Sequence, residues 1–260
     1  MRKSAVKLIT WNVNGIRARE NELLSLLADE KPDVLMLQET KATLEQLPAT
    51  LYGLTAILDY HSIWHGSAGY SGVSVHLRKG VFERPKDAHP AFDYETRVVE
   101  AHTKLVSGGG AWVFVSMYLP NGGKDFDAKL KFMRALGAYP KALGDEGKTV
   151  VIAGDLNVAR ADIDVHRSQR KVGLIGQRPE ERDLLEKFFA GLVDVGRARA
   201  PDDKQLFTWW PYWRNARERN VGWRIDYVLM NEPLATTVTD VRVRRDFGTS
   251  DHAPVIVAFG

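Results

Sequence analysis

The chain contains no cysteine. That excludes disulfides and thiolate-bound metals, and it suits a reducing compartment, the cytoplasm. No run approaches the roughly 18 consecutive apolar residues of a membrane-spanning helix, so no membrane partner is expected. The opening MRKSAVKLITWNVNG carries two basic residues with no long apolar stretch behind them, so no secretory leader is read. A strong excess of one charge is also missing. The net charge is +3, too small to argue for nucleic acid by itself, so the distribution of charge has to carry that argument. None of the seven histidines stands in HxxxH or HExxH spacing, which disfavours a zinc enzyme. What remains is 260 residues, 44% hydrophobic and 27% charged, enough core for one large α/β domain or two small ones.

Short apolar runs read as buried strands at Lys7–Val13, Val34–Leu37, Val73–Leu77, Trp112–Tyr118, Val150–Ala153, Ile225–Met230 and Val255–Phe259. Helical spacing predicts amphipathic helices over Asn21–Ala28, Phe126–Leu143 and Glu180–Phe189, the last preceded by Pro179. Other strands follow one another across glycine turns at Gly80 and Gly108–Gly110. The mixture argues for α/β with partly antiparallel sheets. LITWNVN and VVIAGDLN echo each other as apolar strands ending at asparagine, and chance accounts for that echo as well as duplication does.

Four places break the apolar pattern in one way. Glu39 ends the run from Val34, and Asp155 ends the run from Val151 with Asn157 beside it. Asp226 sits inside Arg224–Leu229, and Asp251-His252 precedes the last strand. A buried carboxylate is costly unless it meets a cation, a metal or several hydrogen-bond donors. One such residue is an ordinary strand-end cap. Four, at the strand ends where α/β enzymes gather their sites, point to chemistry. Glu39, Asp155 and Asp251, with Asn12, Asn14 and Asn157, offer oxygen atoms, the ligands of Mg²⁺ and Mn²⁺. A carboxylate-bound cation beside a histidine suits phosphoester hydrolysis.

The motifs then become specific. WNVNGIR (Trp11–Arg17), LQETK (Leu37–Lys41), GYSGV (Gly69–Val73), YLPNG (Tyr118–Gly122), GDLN (Gly154–Asn157), NVGWRID (Asn220–Asp226) and SDHAP (Ser250–Pro254) occur in one order across nearly the whole chain. In that set and order the sequence resembles the exonuclease III family of abasic-site (AP) endonucleases. The resemblance implies one catalytic domain over 1–260 with a DNase I-like four-layer α/β sandwich, two packed mixed β-sheets flanked by helices. It implies a metal-dependent DNA-repair nuclease that cuts 5′ to abasic sites, with 3′–5′ exonuclease and 3′-end-processing activity. The cofactor is expected to be Mg²⁺, with Mn²⁺ substituting. The protein is expected to act as a cytoplasmic monomer on duplex DNA carrying abasic sites or blocked 3′ ends.

The same resemblance assigns residues. Glu39 becomes the principal metal ligand, helped by Asn14 or Asp251. Asp155 orients or deprotonates the attacking water, with Asn157 beside it. Asp226 and His252 form a carboxylate–imidazole pair that holds the phosphate, Tyr118 contacts that phosphate, and Asn12 adds a polar contact. Trp209, Trp223 and Ile225 line a pocket for a flipped-out sugar. Lys124 and Trp213 insert into the duplex, while Tyr70 and Asn121 contact DNA.

Residues 204–224, KQLFTWWPYWRNARERNVGWR, interleave four tryptophans with Lys204, Arg214, Arg217, Arg219 and Arg224 against Glu218 alone, a pattern that stacks on bases or sugars while neutralising phosphates. About two of the four tryptophans are expected in the core. The segment HRSQRKVGLIGQR (His166–Arg178) is basic through Arg167, Arg170, Lys171 and Arg178 and lacks the asparagines of many relatives. A mainly 3′-exonuclease or 3′-phosphodiesterase action therefore stays open, with a non-catalytic DNA-binding module as the remote alternative. Asn14 stands where some relatives have aspartate.

Overall fold

The computed structural model describes residues 5–52, 59–144 and 147–260. In chain order the strands are β1 (Val6–Asn12), β2 (Val34–Gln38), β3 (Tyr60–Ser67), β4 (Tyr70–Arg78), β5 (Lys86–Ala88), β6 (Val98–Lys104), β7 (Ala111–Tyr118), β8 (Thr149–Asp155), β9 (Leu192–Asp194), β10 (Asp226–Asn231), β11 (Val238–Val243) and β12 (Val255–Phe259). The helices are α1 (Glu20–Glu30), α2 (Ala49–Tyr52), α3 (Phe126–Leu136), α4 (Tyr139–Gly144), α5 (Pro179–Phe189), α6 (Val195–Arg199) and α7 (Glu232–Ala235). The strands form two six-stranded mixed sheets, ordered β11-β12-β1-β2-β4-β3 and β5-β6-β7-β8-β10-β9.

Both sheets have one parallel pair at the centre, β1 with β2 and β7 with β8, and antiparallel pairs on either side. The two orders match strand for strand. The partner of β8 in this likeness is β2, not β1. The echo of LITWNVN with VVIAGDLN therefore joins non-equivalent strands. The equivalent strands are those that lead into Glu39 and Asp155.

Strand alternation decides what each face carries. Leu8 of β1, Val34 and Met36 of β2, Val151 and Ala153 of β8, and Val228 and Met230 of β10 pack in the seam between the sheets. Their alternates face outward. Ile9, Trp11, Leu35 and Leu37 meet Leu23, Leu26 and Leu27 of α1. Val113, Val115, Val150 and Ile152 meet α3, α4 and α5 through Phe132, Met133, Tyr139, Leu185 and Phe188. Central strands covered on both faces read as continuous apolar runs, which is why the sequence displays them.

The same alternation puts Thr10, Asn12 and Gln38 on seam-side positions. Thr10 Oγ1 donates to Gln38 Oε1 at 3.2 Å, Gln38 Nε2 donates to Ser116 Oγ at 3.0 Å, and Ser116 Oγ donates to Leu37 O at 3.0 Å, all buried. This polar rung ties the first sheet to β7 of the second. Beside it Gly154 has φ 145°, and a Cβ there would lie 2.0 Å from Met117 O, so only glycine fits before Asp155.

The expected helix Phe126–Leu143 is two helices. Pro140 has no N–H to give and belongs in a first turn, so α3 stops at Leu136 and α4 begins at Tyr139. The strands β3, β5, β9 and β11 were not visible as apolar runs, since all four are sheet edges and β5 and β9 are only three residues long. β6 was also missed, because Glu100 and His102 interrupt it. Among the described residues no helix is long and apolar enough to cross a membrane.

Candidate active site

His252 lies in the turn before β12. Its backbone N donates to Ser250 Oγ at 3.2 Å, Ser250 Oγ donates to Asn12 O at 2.7 Å, and Trp11 Nε1 donates to His252 O at 3.1 Å. The turn is thus fastened to the end of β1. Asp226 opens β10, and Thr208 Oγ1 accepts from the backbone N of both Ile225 and Asp226 at 3.1 Å. These anchors bring His252 Nδ1 to 2.9 Å from Asp226 Oδ2. That contact fixes Nδ1 as a donor and leaves Nε2 facing Asp155 Oδ2 at 3.7 Å. Burial disfavours a charged ring, but the Asp226 and Asp155 carboxylates outweigh it, so His252 is held protonated well above the usual imidazole range.

Asp155 is buried at the tip of β8. Its oxygens accept from Asn157 N at 2.8 Å, Asn157 Nδ2 at 3.2 Å and Asn12 Nδ2 at 2.9 Å. Burial, with the nearby Asp226 and Glu39 carboxylates, nevertheless raises its pKa, against the pull of His252. Asn12, wholly buried, also donates from Nδ2 to Glu39 Oε1 at 3.0 Å, so one amide nitrogen joins carboxylates from the two sheets. Asn14, Glu39 and Asn157 have positive φ of 47°, 50° and 49°. Non-glycine residues adopt this conformation at a cost, and here it turns three polar side chains toward one point.

Lys41 Nζ sits 2.7 Å from Glu39 Oε2 and 2.5 Å from Asn14 Oδ1. Burial works to raise the Glu39 pKa, but hydrogen bonds from Asn12 and Lys41 and the Lys41 charge lower it. Asp251 is also kept ionised, by His252 and by bonds from Trp209 Nε1 at 3.0 Å and Asn14 Nδ2 at 2.8 Å, which overcome its burial. Tyr118 is pushed far above the usual phenol range by burial and by Glu39 and Asp155, so it stays protonated. Glu39, Asp155 and His252 each place one ligand atom within 4.8 Å of the others. Asp251 is not in that group, because its oxygens turn to Asn14 and Trp209.

These residues floor a cleft of about 840 Å³. Trp209, Trp223 and Ile225 wall it, with Asn121, Lys171 and Trp213 at its margin. Trp209 and Trp223 meet edge to face at 5.6 Å, and Gly176 packs so closely on Trp223 that a Cβ would lie 2.9 Å from the ring. Of the four tryptophans only Trp210 is fully buried, and Trp213 is 65% exposed.

Three of the five basic residues in 204–224, Lys204, Arg217 and Arg224, are not part of the cleft lining, which takes in Arg214 and Arg219. Arg224 is buried in ion pairs with Asp164 at 2.7 Å and Asp194 at 2.8 Å. Arg217 donates to the carbonyls of Arg245, Ser250 and Phe247. Arg167 and Arg170 are exposed but lie outside the cleft lining. Tyr70 and Lys124 stand apart from it as well, with the ammonium 5.6 Å from the Tyr70 ring.

Sequence reasoning missed three supporting residues. Arg97 lies 4.9 Å over the Tyr118 ring and donates to Tyr70 Oη at 2.6 Å, and nothing in TRVVE signals it. Lys41 was quoted only as part of a motif. Lys129 is fully buried on α3, ion-paired with Glu181 at 2.6 Å, and donates to Asn157 O at 2.9 Å and Asn121 O at 3.2 Å. A lysine on the apolar stripe with Met133 and Leu136 is the signal that was available for it.

Comparison with known proteins identifies the family. Residues 9–252 match the Endonuclease/Exonuclease/phosphatase family. The chain is 34% identical to the Exodeoxyribonuclease of Bacillus subtilis, over 96% of this chain and 98% of that one. It spans 37% of the longer Recombination repair protein 1 of Drosophila melanogaster, at 33% identity over 98% of this chain. Among solved structures it resembles the 3′ phosphatase NExo from Neisseria bound to product DNA hairpin, with a TM-score of 0.86, 29% identity and coverage of 98% and 100%. It also resembles an AP endonuclease from Archaeoglobus fulgidus, with a TM-score of 0.83, 29% identity and coverage of 98% and 99%. The chain belongs to the endonuclease/exonuclease/phosphatase family, in its exodeoxyribonuclease III and AP endonuclease branch of DNA-repair nucleases.

Proposed function

We propose that this chain, as one catalytic domain over 1–260, is a magnesium-dependent nuclease that hydrolyses the phosphodiester 5′ to abasic sites in duplex DNA and processes blocked 3′ ends. It acts as a cytoplasmic monomer. The observation that carries this reading is His252, paired with Asp226, beside Asp155 at the floor of a tryptophan-walled cleft.

The donor chemistry fits a hard cation. Four carboxylates (Glu39, Asp155, Asp226, Asp251) converge on two cationic side chains, His252 and Lys41. The Lys41 ammonium already bridges oxygen atoms of Glu39 and Asn14. Glu39 would be the main ligand of Mg²⁺, with Asn14 or Asp251 contributing, and Mn²⁺ would substitute. When bound, the ion neutralises charge on the phosphate and polarises its oxygens.

The side chains supply the remaining steps. Asp155, held by Asn157 and Asn12, orients a water and takes its proton as the water oxygen attacks phosphorus; a carboxylate with a raised pKa suits that task. His252 donates from Nε2 to a phosphate oxygen on which negative charge grows, and the Tyr118 phenol donates to another. The bond from phosphorus to the 3′ oxygen breaks, and that oxygen leaves with a proton from water in the cleft. Trp209, Trp223 and Ile225 receive the baseless sugar, whose missing base makes extrusion cheap. Asn121, Lys171, Arg167, Arg170, Tyr70, Lys124 and Trp213 are proposed to hold the flanking duplex.

The test is a duplex with one internal abasic-site analogue, incubated with protein and Mg²⁺ and sized. A single internal cut is expected, abolished by EDTA and restored by Mg²⁺ or Mn²⁺, with Glu39→Gln raising the Mg²⁺ requirement more than it weakens DNA binding. Shortening only from 3′ ends would instead favour the mainly 3′-processing reading. Full activity in EDTA would refute the metal.

A further inference from the structure

A second group of metal-type ligands lies away from the cleft. His65 is on β3 of the first sheet. His89 and Asp93 lie in the segment between β5 and β6 of the second. One ligand atom from each is within 4.8 Å of the other two. His65 Nε2 is 2.6 Å from Asp93 Oδ2, and the two imidazole rings lie 4.0 Å apart. From this juxtaposition we propose that His65, His89 and Asp93 form a binding site for a divalent transition metal of the zinc class, joining the two sheets.

Three features support ligation over a simple ion pair. First, Asp93 is divided in its duties. Its Oδ1 accepts from the backbone N of Arg97 at 2.9 Å and Val98 at 3.0 Å, which fixes the carboxylate and turns Oδ2 toward the histidines. Second, a ligating imidazole commonly gives its other ring N–H to a backbone carbonyl, and His89 Nδ1 lies 3.4 Å from Val98 O. Third, the short hydrogen bond to Asp93 accounts for His65 alone, while His89, its ring pressed against the first, makes only longer contacts, at 3.4 Å to Val98 O and 3.7 Å to Asp87 Oδ2. Two imidazoles and one carboxylate form the ligand set that three-residue zinc sites use, with a further position for water. Asp87 Oδ2, 3.7 Å from His89 Nε2, stands near that position. Nitrogen ligands favour zinc, nickel or copper over magnesium, so this site and the oxygen-rich cleft select different ions.

The location gives the site a structural role. Asp93 holds the Arg97 backbone, and the Arg97 guanidinium lies over the Tyr118 ring. A metal here would staple the sheets behind the tyrosine.

The experiment uses the full chain, stripped with EDTA and exchanged into excess Mg²⁺ so that the oxygen-rich cleft is supplied with its own ion. Zn²⁺ is then titrated against a chromophoric chelator, while the histidine ring signals are followed by NMR. Wild type should bind one Zn²⁺ that His89→Ala does not, or binds about 100-fold or more weakly, since even residues behind the ligands are worth 10- to 100-fold. His65→Gln should behave likewise and guards against misfolding of the first variant. The ring signals of His65 and His89 should shift with Zn²⁺, and that of His61 on the same strand should not. Equal Zn²⁺ binding by wild type and both variants, or unmoved His65 and His89 signals, would overturn the site.

Discussion

Lys129 and Glu181 offer the sharpest test of how the cleft is held open. Both side chains are fully buried, and they meet at 2.6 Å. The lysine spends its other donors on Asn157 O and Asn121 O, on either side of the cleft floor. Glu181 Oε2 accepts from Gly176 N at 2.7 Å and Arg178 N at 3.1 Å, which tethers the end of the basic loop. Burial lowers the Lys129 pKa, opposed chiefly by the charge and hydrogen bond of Glu181 and to a lesser degree by Asp155, so losing Glu181 removes its main partner and is expensive. Breaking such a pair from one side costs about 3–5 kcal/mol. Lys129→Met and Glu181→Gln should each destabilise by that amount in urea unfolding. The glutamine keeps an oxygen for Gly176 and Arg178, so its loss reports the charge. The double variant should cost less than the sum by about 2–3 kcal/mol, because neither charge is then stranded. Each single variant should also expose the 173–178 segment to limited proteolysis under native conditions. Additive losses, or single losses below about 1 kcal/mol, would refute the reasoning: the pair would then be water-accessible or replaceable.

Four further outcomes are expected. His252→Ala and Asp226→Asn should each slow cleavage by orders of magnitude, and the double variant should be little worse than His252→Ala in single-turnover assays; independent, multiplicative losses would separate the two residues. Trp209→Ala and Trp223→Ala should damage abasic-site cleavage more than binding to intact duplex. Replacing Arg167, Arg170 and Lys171 should weaken both duplexes alike and flatten the log–log salt slope by about 0.9 per lost phosphate contact, which a salt titration of binding reads directly. His76 is buried against Ser74 and Ser62, and burial lowers its pKa to about 3 from 6.5. The unfolded chain takes up that proton below pH 6.5 and the folded chain does not, so this stability is present above pH 6.5 and is lost as pH falls toward 3. At pH 5 the loss is about 2 kcal/mol by linkage. Urea unfolding of His76→Gln should show a correspondingly smaller fall between pH 7 and pH 5, and an identical fall would refute the assignment.

The sequence displayed the parts that obey one-dimensional rules. Central strands buried on both faces read as apolar runs, and carboxylates that interrupt or end such runs stood out as Glu39, Asp155 and Asp226. The ordered motifs supplied the rest of the floor. What stayed hidden depends on contacts between distant segments. Arg224 reads as a cation for phosphate until Asp164 and Asp194 are seen to enclose it. Arg97 has no motif, because its position over the Tyr118 ring comes from sheet packing. His65 lies on β3 and His89 in the segment between β5 and β6 of the other sheet, too far apart in sequence for the spacing rules of metal motifs to find them. Pro140, in the first turn of α4, falls within the expected helix Phe126–Leu143, whose helical spacing continues through it.

The rung Thr10–Gln38–Ser116 bears on sliding as well as on cohesion. Apolar side chains in the seam hold the sheets together, but their attraction has no direction and tolerates small lateral slip. A hydrogen bond loses its geometry over a few tenths of an ångström. Asn12 reaches Glu39 at 3.0 Å and Asp155 at 2.9 Å from opposite sides of that seam. The Gln38 amide, clamped between Thr10 and Ser116, sets the lateral position of one sheet on the other just behind this bridge. It behaves as a dowel pin in a joint already glued. Drift in the surrounding valines and methionines can then be absorbed by repacking without changing the alignment of the two carboxylates. A change at Gln38 to a well-packed apolar residue can preserve melting temperature and still let the two halves of the reaction centre fall out of step.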